Sequence, residues 1–62
     1  MRIKELRESK KMTQVALANK LGVTRTAVAM WESGDSMPKA KMLPQLAKEL
    51  DCTIEEIFEK LA

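Results

Sequence analysis

Gly22 and Thr24 stand two residues apart between two apolar stripes, and that spacing restricts the chain more than any other feature. Before them, Leu17, Ala18 and Leu21 form the i, i+1, i+4 set of a buried helical face, with Thr13 as the N-cap. After them, Val28 and Trp31 are three apart on the inner face of a second helix, for which Thr24 is the N-cap. Glycine tolerates the left-handed backbone that ends a helix, so Gly22 closes the first of the two. Helices joined by so few residues must cross steeply and closely. A close crossing needs a small side chain at the contact, and Ala18 supplies it. Leu17, Leu21, Val23, Val28 and Trp31 then fall inward and set the crossing.

Three more helical segments flank this pair. Ile3 and Leu6 share one face of a helix over Arg2–Ser9, with Met12 just beyond. Gly34 ends the helix that begins at Thr24, and Ser36-Met37-Pro38 reads as a loop. Leu43, Leu46, Ala47 and Leu50 form an i, i+3, i+4, i+7 stripe, with Pro44 tolerated in the first turn of a helix starting near Lys41. Thr53 and Glu56 fit a capping box, and Ile54, Ile57, Phe58 and Leu61 repeat the same stripe. Leu43, Leu46, Leu50, Ile54, Ile57 and Phe58 are therefore expected in the core. No alternating pattern persists long enough for a strand. The expected fold is all-α, a five-helix bundle in a single domain spanning 1–62.

A chain of 62 residues buries only ~60% of its unfolded surface and has no room for a deep substrate cavity. With no histidine and a single cysteine, Cys52, it holds neither a disulfide nor a metal cluster nor a nucleophilic dyad. No enzyme activity and no cofactor are expected, and Cys52 reads as a small buried apolar residue. No apolar stretch approaches ~18 residues, and the charged start has no signal-peptide core, so the expected location is the cytoplasm, away from any membrane. Nine basic and four acidic residues occupy 1–47, and two basic and five acidic ones follow, so +5 in front and −3 behind make the net +2. A basic front with an acidic tail suits a protein that presents one end to a polyanion. Lys10 and Lys11 read as a solvated run.

The run Thr13-Gln14-Val15-Ala16-Leu17-Ala18-Asn19-Lys20-Leu21-Gly22-Val23-Thr24 resembles the opening motif of the phage-repressor and Cro-like helix-turn-helix proteins, the XRE family. Val28-Ala29-Met30-Trp31-Glu32-Ser33-Gly34 is similar to its continuation. Pro38, Leu46-Ala47-Lys48-Glu49-Leu50 and Thr53-Ile54-Glu55-Glu56-Ile57-Phe58 resemble its closing helices. The resemblance runs from Ile3 to about Leu61. It implies a lambda-repressor-like DNA-binding domain and a transcriptional regulator, in the first place a repressor, acting by occupancy of double-stranded DNA. Two copies are expected on a near-palindromic operator with half-sites ~10 bp apart, a homodimer at least on DNA. Such a dimer is expected around the acidic last helix and its junction with the fourth. The alternatives are an antitoxin that also binds a toxin, or a protein-interaction module that uses the same fold without nucleic acid.

By resemblance, the helix over 24–33 enters the major groove with Arg25, Thr26, Ala27, Ala29 and Met30 outward. Arg25 is expected to donate two hydrogen bonds to a guanine, and Thr26 to use its hydroxyl or methyl. Ala27, Ala29 and Met30 are expected to touch thymine methyls, though Met30 reads equally as a surface methionine. Gln14 and Thr24 are expected on phosphates, with Ser33, Lys39 and Lys41 on phosphates of the other flank. Trp31 reads as a packing residue at the junction of the third and fourth helices. Arg7 and Glu32 match a pair that forms a partly buried salt bridge in relatives. Three departures stand out. Ala16 replaces the usual glutamate of the second helix, Asp51 stands where glycine is common, and Asp35 puts a negative charge near an expected phosphate contact. With so apolar an outward face, recognition is expected to lean on thymine methyls and on DNA shape.

Overall fold

The computed structural model describes residues 1–59. Its helices are α1 (Ile3–Ser9), α2 (Gln14–Leu21), α3 (Arg25–Ser33), α4 (Leu43–Leu50) and α5 (Ile54–Phe58), with a short 3-10 turn, Ala40–Met42, leading into α4. Leu61 lies outside the described residues. Among the described residues there is no strand, and no helix is long and apolar enough to cross a membrane.

Local chemistry explains most of the boundaries. The Thr13 hydroxyl accepts from the Ala16 N–H at 3.0 Å, and the Thr24 hydroxyl from the Ala27 N–H at 3.1 Å. At α5 the capping box is complete, since Thr53 accepts from the Glu56 N–H while the Glu56 carboxylate accepts from the Thr53 N–H, both at 3.1 Å. Each such cap satisfies a backbone donor that the helix leaves open, and is worth ~1 kcal/mol. Gly22 and Gly34 end α2 and α3 with φ of 71° and 88°. A Cβ at Gly22 would meet nothing within 4 Å, so backbone torsion and not crowding selects glycine there. Asp51 ends α4 at φ 55°, in the left-handed region that aspartate tolerates better than most residues.

Ile3, Leu6, Leu17, Ala18, Leu21, Val28, Trp31, Leu46, Ala47, Leu50 and Ile57 form one buried cluster. Ala18 is 2% exposed, as a close α2–α3 crossing requires. Trp31 is buried as expected, and Cys52 packs against the cluster half-buried. Burial and the nearby Glu56 carboxylate push the Cys52 thiol above its ordinary range.

Two expectations need correction. The helix expected from about Lys41 begins at Leu43, because Pro44 has no N–H and its ring would clash with the carbonyl four residues back. The chain therefore enters by a tighter turn, with the Met42 N–H donating to the Lys39 carbonyl at 2.9 Å. Ile54 and Phe58, expected in the core, are 36% and 39% exposed. Helix α5 has five residues, and so short a helix turns only one side inward, which Ile57 occupies at 0% exposure. Leu43 is partly buried at the cluster edge.

The two ends of the described residues meet. The Arg2 N–H donates to the Ile57 carbonyl at 2.7 Å, and the Arg2 guanidinium pairs with Glu59 at 2.9 Å and with Glu5. Lys10 pairs with Asp51 at 2.8 Å. Part of the basic front therefore neutralises the acidic tail within the molecule and does not face outward as one patch.

Candidate nucleic-acid interface

Helix α3 is nine residues long, about 13 Å at ~1.5 Å per residue, and a helix ~10–12 Å across with its side chains fits a major groove ~12 Å wide. Its first turn is open to solvent, with Arg25 and Thr26 exposed. Thr26, Met30 and Ser33 follow one another at i, i+4, i+7, so they make one outer ridge, and all three are exposed. Ala27 and Ala29 are half-buried, and Ala27 packs against the core. The expected outward set is thus divided between a ridge carrying Thr26 and Met30 and two small residues set back beside it.

Arg25, Ala29 and Glu32 share a second face of α3, again at i, i+4, i+7. That face looks toward the start of α2, where Gln14 bridges its two ends. The Gln14 Nε2 donates to Glu32 Oε1 at 2.9 Å, and Arg25 Nη1 donates to Gln14 Oε1 at 3.2 Å.

Behind Gln14 sits the ion pair that the resemblance implied. Arg7 Nε donates to Glu32 Oε2 at 2.7 Å, and Arg7 Nη2 to Glu32 Oε1 at 3.3 Å. Their side chains are only 9% and 6% exposed. Arg7 Nη1 donates to the Met12 carbonyl at 2.7 Å. The hydrogen bond to Glu32 holds the Arg7 proton more firmly than usual, against the opposing effect of burial. Among the described residues no buried side-chain polar atom lacks a partner. The turn that offers the Met12 carbonyl to Arg7 depends on Lys11 at φ 57°, a left-handed lysine that nothing in the local spacing marks.

The expected phosphate-binding residues differ in how they are presented. Thr24 uses its oxygen as the α3 cap, which leaves its hydroxyl proton free to donate. Gln14 has its amide nitrogen engaged by Glu32, so the group it turns toward Arg25 is an acceptor. Ser33 lies within 3.0 Å of the Asp35 carboxylate and 3.1 Å of the Met30 carbonyl, and its single proton can serve one of them. Lys39 and Lys41 are exposed and have no ion-pair partner among the described residues. They rim a cavity of about 310 Å³ between α3 and the following loop, floored by Val23, Ala27, Trp31 and Met42. Arg25 in the first turn of α3, and Lys39 and Lys41 on the segment packed beside it, thus flank α3 with exposed positive charge, as an anionic partner requires.

The helix-turn-helix family profile matches residues 3–57. The HTH-type transcriptional activator BcrR of Enterococcus faecalis is 39% identical over 57 residues, which cover 92% of this chain and 28% of that protein. An uncharacterized HTH-type transcriptional regulator of Archaeoglobus fulgidus is also 39% identical over 57 residues, covering 92% of this chain and 80% of its own length. Repressor protein C2 of Salmonella phage P22 is 35% identical over 58 residues, covering 94% of this chain and 27% of that protein. The chain therefore spans most of the archaeal relative and little more than a quarter of the other two.

Proposed function

Since the chain belongs to the helix-turn-helix family, of the XRE type, we propose that it binds double-stranded DNA by sequence and regulates transcription by occupying its site. The observation that carries this reading is the solvent-open first turn of α3, capped by Thr24 and carrying Arg25 and Thr26, with exposed Lys39 and Lys41 beside α3 and without an ion-pair partner among the described residues. Arg25 reads a guanine from the major groove, Thr26 and Met30 meet neighbouring bases, and Ala27 and Ala29 allow close approach to thymine methyls. Thr24, Lys39 and Lys41 hold the backbone, which fixes register without reading sequence. Gln14 keeps a second amide N–H for a phosphate beside the one it donates to Glu32, and Ser33 reaches a phosphate by turning its single proton from Asp35 or Met30.

Two copies occupy a near-palindromic site, and repression follows from blocking polymerase. Exposed Ile54 and Phe58, four apart on α5, support self-association at the α4–α5 end, because burying them against a second copy removes apolar surface from water. The protein acts in the cytoplasm, without catalysis. Selection from a random duplex library near physiological salt tests this reading, with the Arg25→Ala variant run in parallel. A two-fold symmetric motif that loses one position per half-site in the variant supports it. Binding that enriches no motif leaves only the phosphate contribution. No binding at low salt overturns the reading and favours a protein partner.

A further inference from the structure

We propose that the cavity beside α3 binds a small amphipathic carboxylate, and that this ligand competes with DNA for Lys39 and Lys41. The cavity volume of about 310 Å³ lies at the low end of the ~300–1,000 Å³ of small-molecule sites, and suits an apolar body of about ten non-hydrogen atoms. Val23, Ala27, Trp31 and Met42 form its floor, each part of the core cluster or packed against it, so the core holds the floor in place. Water over such a floor finds few partners, and a hydrocarbon body that replaces it is favoured. Met37 lines the same cavity at 63% exposure, an unbranched side chain able to fold over ligands of different outline. Charge selects the other end of the ligand. Lys39 and Lys41 rim the cavity, both exposed and without an ion-pair partner among the described residues, and no carboxylate lines it. A neutral hydrocarbon would use the floor alone, and an inorganic anion or a DNA phosphate the rim alone. Only a molecule with an apolar body and an anionic head uses both.

The site stands on the cavity alone, whereas the competition rests on the proposal that Lys39 and Lys41 hold the DNA backbone. An ammonium group paired with a ligand carboxylate has less to offer a phosphate. The ligand body also lies against Ala27 on α3, beside the surface offered to the groove. Occupancy of the cavity therefore releases DNA, and by linkage DNA weakens the ligand by the same factor. Such a ligand acts as an inducer where the chain represses.

Trp31 is the one tryptophan of the chain and lines the cavity, so its fluorescence reports occupancy. The test titrates the protein with 8-bromooctanoate, whose bromine quenches an indole on contact, and with 8-bromooctanol as the neutral control. The carboxylate should quench Trp31 saturably, with half-saturation on the order of 1 mM for a ligand of about ten non-hydrogen atoms. It should bind roughly 3- to 10-fold more tightly than the alcohol, as two exposed ion pairs allow. The Lys39→Gln, Lys41→Gln double variant changes exposed side chains only, and should bring the two ligands level. Octanoate should raise the melting temperature, since it binds the folded chain. In a second arm, octanoate should weaken binding of a labelled duplex of mixed sequence at low salt about 5-fold or more, with acetate at equal concentration as the control. Linear quenching without saturation, equal response to acid and alcohol, or a lowered melting temperature would overturn the site. Saturable, lysine-dependent quenching with unchanged duplex affinity would overturn the competition, and with it the backbone role of Lys39 and Lys41. A chain that binds no duplex at all defeats the DNA reading, which the quenching arm does not share.

Discussion

Removing the Glu32 carboxylate by Glu32→Ala should destabilise the domain severely, and the structure sets the magnitude. Arg7 has three hydrogen bonds, two of them to Glu32, and keeps only the one to Met12. At 8% exposure its guanidinium cannot recover water without moving the α1 end of the core. Gln14 Nε2 loses its acceptor as well. Breaking one side of a buried pair in this way costs about 3–5 kcal/mol. A domain of 62 residues has roughly 3–9 kcal/mol in total, so the variant should be barely folded. At ~4–8 °C per kcal/mol for a domain of this size, the melting temperature should fall by at least ~12 °C. Thermal and urea unfolding followed by far-ultraviolet circular dichroism would read it. The double variant Arg7→Met with Glu32→Leu should recover most of the loss, since it removes both charges and leaves apolar side chains of similar size. A Glu32→Ala variant that melts within ~4 °C of the parent, a change of ~1 kcal/mol or less, would refute the reasoning. The pair would then be no more than a surface contact.

Other perturbations address separate parts of the fold. Gly22→Ala should cost about 1–2 kcal/mol from left-handed torsion alone, since its Cβ meets nothing within 4 Å; a neutral result in urea unfolding would show that the turn relaxes. The Lys10–Asp51 pair, exposed on both sides, should matter little and in one pH range only. Its hydrogen bond from Lys10 holds the Asp51 carboxyl below its ordinary value, so its stabilisation is present above pH ~4 and disappears as pH falls through the lowered value. Lys10→Met should therefore melt slightly below the parent at neutral pH, and the difference should vanish in acid and in high salt; a difference that persists at low pH would contradict the assignment. Phe58→Glu should leave the melting temperature within a degree or two of the parent, because the side chain is exposed, yet weaken cooperative occupancy of paired half-sites in a gel-shift titration. Unaltered cooperativity would place the contact between copies elsewhere.

How much of this was legible along the chain depends on the range of each interaction. Thr13, Thr24 and Thr53 cap helices because a hydroxyl reaches the N–H three residues on, and such a contact is written in local spacing. Gly22, Gly34 and Asp51 end helices for an equally local reason, a torsion that few residues adopt. The inner faces of α2, α3 and α4 follow from helical period alone, so Leu17, Leu21, Val28, Trp31, Leu46 and Leu50 are buried where their spacing placed them. The Arg7–Glu32 pair came from family likeness, since no rule of spacing joins residues on α1 and α3.

Packing in three dimensions settled the rest. Period marked Ile54 and Phe58 for the core, but α5 is too short and too peripheral to bury more than Ile57. The charge asymmetry of the two ends is real in the sequence, yet Arg2 with Glu59 and Lys10 with Asp51 cancel part of it once the ends are brought together. Lys11 takes a left-handed turn because the α1–α2 connection has to bring the Met12 carbonyl to Arg7. Gln14, assigned to a phosphate by likeness alone, also joins Glu32 to Arg25. Caps, turns and inner faces depend on atoms a few residues apart, whose distances the helix itself dictates. Which acid meets which base, and which apolar side chain stays wet, depends on how whole helices stack, and that follows only from the packed core.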